Sequence, residues 1–191
     1  MVKKSPWNAP NILTLFRIIL TFVIIYLVLI NAKIMIIVAV FVIAMITDFF
    51  DGQIARRFNM TSEFGRKFDM IADRFLMIST VTVIVIEFSL HGMLTSYELT
   101  QIFMIMSREA IAFPFALIYI TSHMATPKVR FIGKLTTVMQ AITFPMILLS
   151  TIYPFFDISI YFAILTGIIG LSAGIAYITD IMIMESKGRA R

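Results

Sequence analysis

Residues 48–73 read DFFDGQIARRFNMTSEFGRKFDMIAD. The segment sets four aspartates, Asp48, Asp51, Asp69 and Asp73, at the inner ends of two long apolar runs. An ionised carboxylate at mid-bilayer costs roughly 2.5 to 3.5 kcal/mol even on lenient insertion scales, so four facing lipid would cost on the order of 10 kcal/mol. They must face something other than hydrocarbon.

The spacing says what that is. Helix neighbours lie three or four positions apart, so Asp48 and Asp51 share one helix face, and Asp69 and Asp73 share one face of the next helix. A rise of about 1.5 Å per residue staggers each pair by about 4.5 to 6 Å along its axis. Two such pairs converging form a cage of hard oxygens, suited to Mg²⁺, Mn²⁺ or Ca²⁺. The chain has no cysteine, and its two histidines, His91 and His123, are distant in sequence, which argues against zinc. Between the pairs, Gly52 and Ala55 leave their helix face nearly bare, so a flat or bulky group can approach the backbone. Arg56, one turn after Gly52, offers a fork that suits phosphate. A metal cage beside a bare helix face and an arginine is the equipment of phosphoryl transfer. A purely structural network of Arg–Asp pairs between helices is the competing interpretation, but it leaves the interleaved small residues without a purpose.

The pattern Asp48-x2-Asp51-Gly52-x2-Ala55-Arg56-x8-Gly65-x3-Asp69-x3-Asp73 matches every fixed position of the signature of the CDP-alcohol phosphatidyltransferases. On those eight residues the chain resembles that family. The resemblance implies a reaction in which a CDP-linked lipid gives its phosphatidyl group to the hydroxyl of a small alcohol, with release of CMP. It also implies roles: Asp48, Asp51 and Asp69 as ligands of Mg²⁺ or Mn²⁺ in a two-metal site, and Asp73 as the general base, itself touching a metal. Gly52, Ala55 and Arg56 would line the nucleotide and diphosphate pocket, and Gly65 would let the second acidic helix approach.

Composition agrees with a membrane setting. Of 191 residues 60% are hydrophobic and 14% charged, and mean hydropathy is +0.95. This describes one all-α integral membrane domain over residues 1–191, with no polar segment long enough for a second. The net charge of +5 would suggest nucleic acid in a soluble protein, but here the basic residues sit at segment ends and act as topology signals. Without cysteine, disulfides and thiol chemistry are excluded.

Along the chain, residues 1–11 form a basic juxtamembrane arm or short helix at the membrane surface, with Trp7 as an interfacial anchor. Six spans follow, at about 12–30, 34–58, 68–90, 99–120, 135–152 and 158–184. Thr14 and Arg17 interrupt the first run and no small-residue cleavage site follows it, so it reads as an uncleaved span. A tight turn at Asn31, Ala32 and Lys33 separates the first two spans, and polar loops at 59–67, which includes Gly65, and 121–134 follow the second and fourth. Lysines and arginines collect in the arm, in these two loops and in the tail, against Lys33 alone on the other side. By the positive-inside rule both termini and the acidic motif face the cytoplasm across the cell membrane, which requires an even number of spans. Gly167, Gly170 and Gly174 mark a close-packing face, either within the bundle or across a dimer.

Two further features bear on the acceptor. Arg108 lies within the fourth span, and Lys134 is the residue nearest the membrane in the basic loop before the fifth. Pro10-Asn11-x2-Thr14-x2-Arg17, Ser107-Arg108-Glu109 and Gly133-Lys134-x-Thr136-Thr137-x2-Gln140 resemble elements of the phosphatidylglycerophosphate synthase branch of the family. This implies CDP-diacylglycerol as donor and glycerol 3-phosphate as acceptor, its phosphate clamped by Arg108 and Lys134, in a homodimer that meets membrane lipid and no nucleic acid. Two departures stand out: Thr136 occupies the place of a second lysine, and residues 111–120 lack a base that often follows Arg108. The cardiolipin synthase branch, whose acceptor is phosphatidylglycerol, shares the first departure and is the alternative, as is transfer to inositol phosphate or another alcohol. Outside enzymes, a cation carrier would use the same acids, but a path across needs polar stations on both sides of the membrane and the outer halves of the spans hold few.

Overall fold

The computed structural model describes residues 9–57, 63–92, 94–121 and 131–189. Within them the chain is helical, with six α-helices, one 3₁₀ turn and no strand. The helices are α1 (Ala9–Leu29), α2 (Ile34–Arg57), α3 (Glu63–Leu90), α4 (Ser96–Thr121), α5 (Phe131–Ser150) and α6 (Ser159–Arg189), with the 3₁₀ turn Pro154–Ile158 ahead of α6. Along its interior a helix satisfies its backbone donors and acceptors internally, which a chain this apolar requires in hydrocarbon. Three stretches are long and apolar enough to cross a membrane: Asn11–Leu29, Phe131–Ser150 and Pro154–Asp180. The apolar part of α2 is shorter, Ile34–Asp48, and α3 and α4 carry acids and bases inside them. The protein is an all-α membrane protein. The arm at residues 1–8, Trp7 included, lies outside the described residues.

The chain divides into two compact units, Met1–Leu94 and Thr95–Arg191. In the first, α1 packs against both α2 and α3. Its buried stripe is Thr14, Arg17, Thr21, Ile24 and Val28, the three-four spacing of a helix seam, polar at one end and apolar at the other. Ile37, Phe41, Ala44 and Met45 of α2 and Ala72, Leu76, Met77 and Ile84 of α3 are also buried. Phe22 of α1 meets Phe75 of α3 with ring centroids 5.7 Å apart. The other faces expose Ile12, Phe16, Ile19, Tyr26 and Ile43, a surface suited to acyl chains rather than water. The expected turn after α1 is present and has a definite form. Asn31 adopts φ 52°, the Ala32 amide donates to Leu27 O at 2.9 Å and the Asn31 amide to Val28 O at 2.9 Å. This is a Schellman cap, closed by asparagine in place of glycine.

In the second unit α6 packs against α4 and α5. Its glycines form the α4 seam: a Cβ on Gly167 would lie 3.2 Å from Met104 O, on Gly170 3.1 Å from Ser107 Oγ, and on Gly174 3.1 Å from the Ile111 side chain. The glycine face therefore packs within the chain. Thr95 caps α4: its amide donates to Glu98 Oε2 at 3.0 Å, its hydroxyl also donates to Glu98 Oε2, and the Tyr97 amide donates to Thr95 Oγ1 at 3.2 Å. This is a variant of the capping box in which the hydroxyl takes the second rather than the third amide of the helix. Tyr97 Oη also donates to Asp157 O at 2.9 Å, tying the start of α4 to the 3₁₀ turn.

Two expected loops are shorter than the sequence suggests. Gly65, Arg66 and Lys67 belong to α3, which begins at Glu63, and Gly133 and Lys134 belong to α5, which begins at Phe131. Polarity ends a span but not a helix: the backbone bonds continue into the interfacial turns, where charged side chains reach water.

Candidate functional site

The acidic motif occupies the end of α2 and the start of α3, and an acid from each helix meets one arginine of α1. Arg17 is fully buried, with Nη2 2.7 Å from Asp48 Oδ1 and Nη1 2.9 Å from Asp69 Oδ1. Asp48 is 23% and Asp69 43% exposed. One planar guanidinium thus joins carboxylates from two helices, and α1, which packs on both, holds the fork between them. Below it, Thr21 Oγ1 donates to Arg17 O at 2.9 Å within α1. The local sequence explains the geometry: residues 14, 17 and 21 lie on one face of α1, so an arginine on that face points into the seam.

Asp73 lies one turn beyond Asp69 on the same face of α3 and is half-buried; among the described residues no basic side chain pairs with it. Asp51, Gly52, Ala55 and Arg56 lie in the last turns of α2, but their side chains are outside the described set. Gly65 lies in the first turn of α3, four residues before Asp69.

These residues fit a hard divalent cation by two observations. Asp48 and Asp69 already share a single positive centre, and the donors are carboxylate oxygens of the type Mg²⁺ and Mn²⁺ select. Among the described residues alone, no three acidic, histidine or cysteine side chains gather closely enough to hold an ion; the side chain of the motif's remaining acid, Asp51, is outside the described set.

The second unit holds the other expected residues. Arg108 Nη1 donates to Thr137 Oγ1 at 2.9 Å and lies 3.8 Å from Glu109 Oε1. Gln140 Nε2 donates to Ile105 O at 2.8 Å and to Glu109 Oε1 at 3.3 Å. Thr137 Oγ1 in turn donates to Gly133 O at 3.2 Å. Arg108 of α4 is therefore tied to the Gly133–Gln140 element of α5, while Lys134 is exposed on the first turn of that helix. Lys128 and Arg130 lie outside the described residues. Thr136, at the place of the second lysine, is buried and donates to Ile132 O at 2.9 Å, so it adds nothing cationic.

Arg17 is the residue whose importance the sequence did not reveal. It enters there as an interruption of the first span and the last position of the element at residues 10–17, yet an arginine two turns into an apolar run is itself a signal, since a charge at that depth needs a carboxylate or a water path. Glu109 and Gln140 were visible only as parts of longer elements.

The CDP-alcohol phosphatidyltransferase family model matches residues 7–171. Among curated proteins, the chain is 45% identical over 82 residues to a CDP-diacylglycerol--glycerol-3-phosphate 3-phosphatidyltransferase of Rickettsia typhi, covering 42% of this chain and 46% of that protein. Proteins of the same name from Blochmanniella floridana and Salmonella typhimurium are 39% identical over 111 residues and 40% over 83. These matches cover 56% of this chain and 58% of the first protein, and 42% and 45% for the second. The chain spans about half the length of the curated relatives it matches.

Proposed function

Because this chain belongs to the CDP-alcohol phosphatidyltransferase family, we propose that it transfers the phosphatidyl group of CDP-diacylglycerol to glycerol 3-phosphate. The products are phosphatidylglycerophosphate and CMP. The observation that carries this reading is the convergence of Asp48 and Asp69 on Arg17, with Asp73 one turn away. Carboxylates from two helices are gathered around a cationic centre beside a residue left available to accept a proton. The names of the relatives support the choice of donor and acceptor.

In this reading Asp48, Asp51, Asp69 and Asp73 hold Mg²⁺ or Mn²⁺, which neutralises the diphosphate and the charge that develops on the departing CMP. Arg56 takes a diphosphate oxygen, with Gly52 and Ala55 leaving room for the nucleotide against α2, and Gly65 brings the start of α3 close. Asp73 accepts the proton of the acceptor hydroxyl as its oxygen bonds to the lipid-bearing phosphorus and the bond from that phosphorus to the CMP oxygen breaks. Arg17 holds Asp48 and Asp69 at fixed separation, so the site needs little reorganisation when charge moves. Arg108 and Lys134 bind the acceptor phosphate, Arg108 oriented by Thr137 and Glu109. The buried Thr136 favours a second reading, phosphatidylglycerol as acceptor, because a site with one fewer lysine is less suited to a phosphate dianion.

Both termini and the motif are proposed to face the cytoplasm across the cell membrane, on the distribution of lysine and arginine, and a homodimer is proposed by analogy with the family. CMP release from CDP-diacylglycerol by the purified chain with Mg²⁺ or Mn²⁺, offered each acceptor in turn, tests the reaction. Release with glycerol 3-phosphate that is lost in Asp73→Asn is the expected result. Release with phosphatidylglycerol alone would transfer the assignment to the second reading.

A further inference from the structure

Arg74 stands apart from the other buried arginine. It is 8% exposed; among the described residues its Nη1 donates to Met70 O of its own helix at 3.0 Å, and its Nε is buried with no hydrogen-bond partner. Among the described residues no carboxylate pairs with it. Arg17, at 0% exposure, pairs with Asp48 and Asp69. A guanidinium withdrawn from water and given no anion is costly unless an anion arrives from outside the chain.

The direction of the side chain says where that anion would lie. By bonding Met70 O, Arg74 folds back one turn toward the start of α3, to the level of Asp69 and Asp73. Further along its stripe, Met77, Val81 and Ile84 are buried and apolar, so the guanidinium closes the polar end of a dry wall. With Nη1 occupied, its side-on edge, Nε with Nη2, remains: the edge that receives two oxygens of one oxyanion.

Resting on the function proposed above, we propose that Arg74 is an oxyanion-binding residue that takes a substrate phosphate through its Nε–Nη2 edge. The phosphate belongs either to the diphosphate of the cytidine-linked donor or to the acceptor.

The test measures ligand affinity in the purified full-length chain with Mg²⁺, using CDP and glycerol 3-phosphate as separate probes and thermal unfolding as the readout. The chains compared are wild type, Arg74→Gln and Arg74→Lys. The expected result is affinity for one probe weakened about tenfold or more in Arg74→Gln and partly restored in Arg74→Lys. The ligand-free unfolding temperature of Arg74→Gln should stay the same or rise, because an unpaired buried charge has been removed. Loss confined to CDP assigns the donor diphosphate; loss confined to glycerol 3-phosphate assigns the acceptor. Unchanged affinity for both probes would overturn the proposal, as would a ligand-free unfolding temperature lowered alike in both variants, which marks a structural arginine. Failure of the proposed function is separable, since it appears in the wild type as absence of CMP release with any acceptor.

Discussion

Arg17 and Asp73 contribute in opposite ways to the proposed site, one through its carboxylate partners and the other by having no basic partner among the described residues. Removing Arg17 leaves Asp48 and Asp69 facing each other as like charges across the α1 seam. Breaking a fully buried pair costs about 3 to 5 kcal/mol; with Asp69 43% exposed, we expect about 2 kcal/mol for Arg17→Met in chelator. Millimolar Mg²⁺ should recover much of that loss, because another cation then stands between the carboxylates, and unfolding curves with and without EDTA will read the difference. Asp73→Asn should behave differently, unfolding at the wild-type temperature while CMP release falls by about 10²-fold or more, the typical worth of a positioned general base. A variant that lost stability together with activity would instead make Asp73 part of the packing.

At the scale of helices, the glycines of α6 and α5 look alike in sequence and differ in structure. Gly170 faces Ser107 and Arg108 at distances that leave no room for a branched side chain, so Gly170→Val should destabilise by about 1 to 3 kcal/mol through overpacking. Gly133 has nothing within 4 Å of a built Cβ, so Gly133→Ala should be neutral or stabilising by up to about 1 kcal/mol, from helix propensity alone. Denaturation of the two variants in the same detergent compares them directly. The ends of these elements were less legible than their existence. Hydropathy reads which residues face lipid, whereas the helix continues wherever its backbone bonds do; α3 and α5 therefore begin several residues before the apolar runs they carry, taking in Gly65 and Lys134. The turn at Asn31 was legible because asparagine tolerates the left-handed conformation that a Schellman cap demands.

For the whole molecule, topology is the property that follows most directly from charge. The chain contains no cysteine, so single introduced thiols report sidedness without background. Lys3→Cys, Ser62→Cys and Lys187→Cys are expected to be modified by an impermeant reagent from one side of sealed vesicles, and Lys33→Cys from the other. Labelling of Lys3→Cys and Lys187→Cys from opposite sides would mean an odd number of spans. Chelation supplies a second expectation at this scale: EDTA should abolish CMP release in the wild type, and Mg²⁺ or Mn²⁺ should restore it.

The sequence by itself determined the helical membrane fold and the helix faces its acidic residues share, because both are local: apolar length fixes a span, and three- and four-residue spacing fixes which acids lie together. The tertiary structure decided what those acids meet. That Asp48 and Asp69 share Arg17, that Arg108 leans on Thr137, and that the α6 glycines close against α4 depend on partners 29 to 63 residues apart. No periodicity within one helix encodes such pairings; they arise when packing removes charge and small-residue faces from lipid and sets them against neighbours from other helices that can satisfy them.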